Sequence, residues 1–101
     1  MKLEIDNIEQ LASALETFSR AVVVFTQPAT CVPCRALKPH LDKFAGKHER
    51  PVILVVDLDK VPQAMVDYSL MAVPTLQLYE NVYRRDVKAR TLLQLEHELL
   101  D

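Results

Sequence analysis

Two runs in this chain, "AVVVF" (Ala21 to Phe25) and "VILVV" (Val52 to Val56), restrict its possible folds more than any other feature. Each is apolar at every position and rich in β-branched residues. A strand with one wet face alternates apolar and polar residues, whereas a strand covered on both faces does not. Two such strands call for a sheet with helices on both sides.

The flanking segments supply those helices. Ile8, Leu11, Ala12, Leu15 and Phe18 recur at helical spacing behind Asn7, and Gln10 completes a capping box, which predicts a helix over 8–19. From Cys31 to about His48, Leu37, Leu41, Phe44 and Ala45 share one helical face, with Pro39 expected to kink the helix. "KVPQAMVDYSL" reads as a short helix with Pro62 in its first turn. "TLQLY" and "YRRDV" lie close enough to pair as an antiparallel hairpin through Glu80–Val82. Thr91 and Gln94 cap a last helix striped by Leu92, Leu95 and Leu99. The order α-β-α-β-α-β-β-α predicts an α/β fold: a mixed central sheet with right-handed crossovers, an antiparallel edge hairpin, and helices on both faces. A chain of 101 residues holds one such domain, 1–101, and no second core.

A net charge of -2 leaves no electrostatic footprint for nucleic acid or an anionic membrane. The longest apolar runs have about five residues, too short to span a bilayer. "MKLEIDNIEQLASALETFSR" carries four acids and no unbroken apolar stretch, so it does not read as a signal peptide. The expected compartment is a reducing cytoplasm. There a C-x-x-C pair points to redox exchange or metal rather than to a structural staple.

The chain has two cysteines, Cys31 and Cys34, separated by Val32 and Pro33. With Cys31 at the N-cap of the helix and Cys34 at its third residue, both sulfurs lie at the positive end of the helix dipole, among unpaired N–H groups. A thiolate at Cys31 is then stabilised, and its pKa is expected below the free value of about 8.5. Cys31 becomes the attacking nucleophile and Cys34 the resolving thiol. Two other readings stand beside this one. The pair could simply pack as small hydrophobes. It could also bind metal, but closed zinc needs four ligands, and only His40, His48, His97 and carboxylates could complete the set. An iron–sulfur cluster bridging two chains is a further variant.

The buried strand, then "CVPCRALKP", the "VDLD" strand end and "AVPTLQLY" together resemble the thioredoxin family over about residues 5–100. "TQPATCVPC" is also similar to the start of glutaredoxin-like redoxins, but the long helix and the spacing to Val73-Pro74-Thr75 fit thioredoxin better. The resemblance implies the thioredoxin fold and a disulfide that forms and opens between Cys31 and Cys34. It implies a cis bond from Val73 to Pro74, and an extended substrate segment held against Val32, Pro33, Val73 and Pro74 by strand addition. It implies no metal or organic cofactor and a monomer. Its partners would be a disulfide-containing protein and an electron donor, either a flavoprotein reductase or a small thiol.

The departures from the family pattern are specific. Thr30 and Val32 stand where thioredoxins usually have tryptophan and glycine. By the resemblance, the family's buried aspartate, on the strand below the cysteines, maps to Phe25, and its nearby lysine to Val55. Two glycines of substrate-facing loops fall on Val82 and Arg90. A buried carboxylate accepts the proton of the resolving thiol, and Phe25 cannot. The expected protein is thus a slower or more specialised reductase, or a binding module with a vestigial or regulatory pair. Elsewhere, Asp57 and Asp59 are expected to cap the following helix. "YRRD" is expected to form an exposed strand face, His40 to be a solvated or half-buried helix residue, and Met65 and Met71 to fill core gaps or edge the groove.

Overall fold

A computed structural model describes residues 1–100. In chain order the elements are β1 (Lys2–Ile5), α1 (Ile8–Thr17), β2 (Arg20–Thr26), α2 (Val32–Lys47), β3 (Val52–Asp57), α3 (Gln63–Asp67), β4 (Thr75–Glu80), β5 (Tyr83–Val87) and α4 (Leu92–Leu99). The sheet order is β1-β3-β2-β4-β5. β3 pairs parallel with both β1 and β2, while β2–β4 and β4–β5 are antiparallel. This is the mixed α/β sheet expected from the sequence.

One strand was not expected. β1 is four residues long and lies at the sheet edge, with Leu3 and Ile5 toward one core and Glu4 exposed. A two-residue apolar alternation is too short to read as a strand. Its pairing with β3 (Lys2 opposite Ile53 through Ile5 opposite Val56) is a long-range contact.

The two apolar runs occupy adjacent positions β2 and β3, and every residue from Ala21 to Thr26 is buried. Alternation along each strand then divides the core. Val22, Val24, Ile53, Leu76 and Leu78 meet Leu37, Leu41 and Phe44 of α2 and Leu95 and Leu99 of α4. Ala21, Val23, Phe25, Val52, Leu54 and Val56 meet Leu11 of α1 and Val61 and Ala64 near α3.

Local signals set the helix starts. Asn7 accepts a hydrogen bond from Gln10 N–H at 2.8 Å, and Thr91 accepts one from Gln94 N–H at 3.2 Å. α1 ends at Thr17, two residues before the expected end. Pro39 lies inside α2, and Pro62 sits at the N-cap of α3. The hairpin turns through Asn81 at φ 57°, a left-handed conformation that asparagine adopts readily. Asp57 and Asp59 do not cap α3, which has no side-chain cap. Instead Asp57 Oδ1 accepts the Asp59 N–H at 2.9 Å, and Asp59 Oδ1 accepts from Gln27 at 2.8 Å. Both acids stabilise the turn after β3, because the chain needs five more residues to reach the helix.

Candidate active site

The loop Gln27–Thr30 carries the chain from the end of β2 to the start of α2. Thr30 N–H donates to Gln27 O at 3.1 Å, and the Arg35 side chain donates to Pro28 O at 2.7 Å. Cys31 is the N-cap of α2, and its Sγ accepts the Cys34 N–H at 3.1 Å. That N–H points at the sulfur where a thiolate would form, and sixteen aligned peptides stand behind it. Cys31 and Cys34 are joined as a disulfide, and both are largely buried.

Val73 and Pro74 come from a distant part of the chain and close the other side of the pair. The Val73–Pro74 bond is cis, as is Arg50–Pro51, for which the sequence offers no signal. Val73 O lies 3.8 Å from Cys31 Sγ. Thr75 Oγ1 donates to Ala72 O at 2.5 Å, which braces the loop. Val32 and Pro33 face solvent beside the pair, Val32 being 66% exposed, and Val73 is half-buried. Met71 is 96% exposed and does not fill the core, and Met65 is also exposed.

Two expected neighbours of the site lie elsewhere. Phe25 is not beneath the cysteines. It points to the opposite face of the sheet, where its ring meets Tyr68 with centroids 5.2 Å apart. A β2–α2 loop that is longer or shorter by one residue exchanges the faces of the strand relative to the cysteines. The β2 residues that do share a cavity with Cys34 are Val24 and Thr26, together with Val55 and Asp57 of β3. Val82 does not lie in a loop facing the site either. β4 begins beside Pro74 and runs away from it to Glu80, so the Asn81–Val82 turn lies at the far end of the sheet, bonded to Ser19.

Arg90, by contrast, reaches the site. Its guanidinium donates to Pro74 O at 3.1 Å and to Ala89 O at 2.8 Å. It remains exposed, and no carboxylate pairs with it among the described residues. A guanidinium anchored by two carbonyls is held on the rim of the surface next to Val73.

His40 has a function that sequence reading missed. Its Nδ1 accepts the Leu92 N–H at 3.0 Å, which ties α2 to the first turn of α4. The signal was absent because the partner is 52 residues away. His48 lies 2.7 Å from Glu96, and these contacts, with Lys47, hold the Glu96 carboxyl below its ordinary range. Most of β5 is exposed, and Arg85 donates to Glu98 O at 2.6 Å. Among the described residues, no three His, Cys, Asp or Glu side chains gather as a metal site. Nor, among the described residues, is any helix long and apolar enough to cross a membrane.

The family model described as thioredoxin matches residues 2–98. Thioredoxin of Rickettsia conorii is 31% identical over 72 residues, covering 70% of this chain and 67% of that protein. The TPR repeat-containing thioredoxin TDX of Arabidopsis thaliana is 31% identical over 68 residues, which is 67% of this chain but 18% of that longer protein. The crystal structure of Schistosoma mansoni thioredoxin superposes with a TM-score of 0.82 at 25% identity, covering 97% of this chain and 92% of that one.

Proposed function

The chain belongs to the thioredoxin family, and from that premise we propose that this thiol–disulfide oxidoreductase is a dithiol reductase of protein disulfides in the cytoplasm. The observation that carries the reading is Cys31 Sγ at a helix N-cap, aimed at by the Cys34 N–H and 3.8 Å from Val73 O. In the reduced protein the Cys31 thiolate attacks one sulfur of a substrate disulfide. A Cys31–substrate disulfide forms and the first substrate thiolate leaves. Cys34 loses its proton and attacks Cys31 Sγ, the mixed disulfide breaks, and the second substrate thiolate departs. The substrate gains two electrons and the protein is left as the Cys31–Cys34 disulfide. A flavoprotein reductase or a small thiol then restores the dithiol. The half-buried Val73, with Val32, Pro33 and Pro74 around it, offers main-chain groups to an extended substrate segment.

The rim favours a second reading: a binding or regulatory module with specialised redox activity. Arg90 stands on the rim of the surface a substrate must approach. A fixed guanidinium there selects among partners. Dithiothreitol-driven insulin reduction separates the two readings. The reductase reading expects turbidity well above a Cys31→Ser control, and activity equal to that control refutes it. If Arg90→Gly raises insulin reduction severalfold, the surface is specialised; an unchanged rate removes the basis of the second reading.

A further inference from the structure

Cys34 must give up its proton before it can resolve the mixed disulfide, and Phe25 faces away from it. The space that does adjoin Cys34 is a cavity of about 280 Å³. This is room for several waters, and the lining carries enough polar groups to hold them. Val24, Leu37, Leu41 and Val55 form its dry walls. Its charged groups are Lys2 and Glu4 of β1, Lys38 of α2, Asp57 of β3 and Lys60 of the loop beyond, while β2 supplies none. Asp42 pairs with Lys2 and Lys38 and so occupies two of the three cations.

We infer that Asp57, acting through water in this cavity, takes the proton of Cys34 during resolution. The inference rests on the disulfide-exchange reading above. Two carboxylates line the cavity, and the sheet order separates them. β3 adjoins β2, and Asp57 sits opposite Thr26, a buried residue of the same lining. Glu4 is on β1, one strand further from β2, a difference of about 4.8 Å. Glu4 is also exposed, whereas Asp57 is half-buried. Asp57 Oδ1 is engaged by the Asp59 N–H, which fixes the carboxylate and leaves Oδ2 for a water.

The step balances simply. The Cys34 S–H proton passes through water to Asp57. The Cys34 sulfur pair forms the bond to Cys31 Sγ, and the Cys31–substrate bond breaks. The departing thiolate carries its electron pair away, and Asp57 returns the proton to solvent. Asp57 is a positioning and proton-accepting residue that never touches the reacting sulfurs.

The test uses the whole reduced protein and dithiobis(nitrobenzoate). Attack by Cys31 releases one coloured thiolate, and resolution by Cys34 releases the second. The wild-type second phase should show a nearly flat pH profile below the thiol range. Asp57→Asn keeps the acceptor at Oδ1 and removes the titrating charge. Its second phase should slow about 100-fold near pH 7, the low end of the roughly 10²–10⁴-fold range for positioned acid–base groups. It should rise in proportion to hydroxide and rejoin wild type above about pH 9, where the thiol ionises unaided. Glu4→Gln should stay within about twofold of wild type, since an exposed side chain in bulk water adds little. Equal rates for Asp57→Asn and wild type overturn the inference and leave the exchange reading intact. So does equal slowing at every pH, which marks a purely structural role, or a larger loss in Glu4→Gln. A wild type that never releases the second thiolate overturns both readings together.

Discussion

Placing a carboxylate at residue 24 or residue 25 tests which face of β2 serves the cysteines. Phe25 is fully buried among Leu11, Val23, Val56 and Leu58, with Tyr68 against its ring. Phe25→Asp removes the ring, at about 3–5 kcal/mol for a phenylalanine truncation. It also leaves a carboxyl among aliphatic groups, which adds a few kcal/mol more even if the group protonates. The sum is comparable to the whole stability of a 101-residue domain, about 5–15 kcal/mol. Val24 is equally buried, but it lines the cavity that holds Thr26, Asp57 and the lysines. Val24→Asp forfeits one valine, about 1.5–3 kcal/mol, and its carboxylate gains water and nearby ammonium groups. The expected net loss is about 2–4 kcal/mol, or a Tm drop on the order of 10–25 °C. Urea denaturation followed by far-UV circular dichroism reads the stability difference, and release of the second thiolate reads the chemistry. Val24→Asp should remain folded in buffer and should restore a flat pH profile in an Asp57→Asn background. Phe25→Asp should be unfolded or close to it. Equal stabilities, or faster resolution in Phe25→Asp, would show that the two faces have been assigned wrongly.

His40→Ala removes the acceptor for the Leu92 N–H and should cost about 1 kcal/mol, lowering Tm by about 4–8 °C. A calorimetric Tm matching wild type would mean that water replaces this link between α2 and α4 without loss. The pH dependence of stability should turn on Asp42 and Glu96. Asp42 is held below its ordinary value chiefly by the Lys2 hydrogen bond, and Glu96 chiefly by His48. Lowered folded-state values mean that both acids stabilise the fold above the ordinary carboxylate pKa of about 4. That contribution is lost as pH falls through the lower folded values. The urea midpoint should therefore fall in acid, and the fall should be shallower in an Asp42→Asn, Glu96→Gln double variant. An identical slope in the double variant would remove these two acids from the account.

Much of the architecture was legible because it follows from local or periodic signals. Uninterrupted β-branched runs announce strands covered on both faces, whatever covers them. Asn7, Cys31 and Thr91 mark helix starts because a side chain three residues before an N–H can satisfy it in any tertiary context. The same logic placed Cys31 at the N-cap with Cys34 inside the first turn. β1 escaped notice because four residues at an edge carry little periodic signal until β3 lies beside them.

The sequence alone therefore determined the reactive pair, the element that presents it and the layered class of the fold. Only the tertiary structure decided what surrounds the pair. Strand alternation creates two faces but does not say which helix covers each. The loop Gln27–Thr30 places α2 over Val24 and Thr26 rather than over Phe25. Sheet order put Asp57 one strand from Thr26, and chain return brought Arg90 to Pro74 and Leu92 to His40. These contacts join residues far apart in the chain. Their physical cause is the packing of whole elements, which no local stretch encodes.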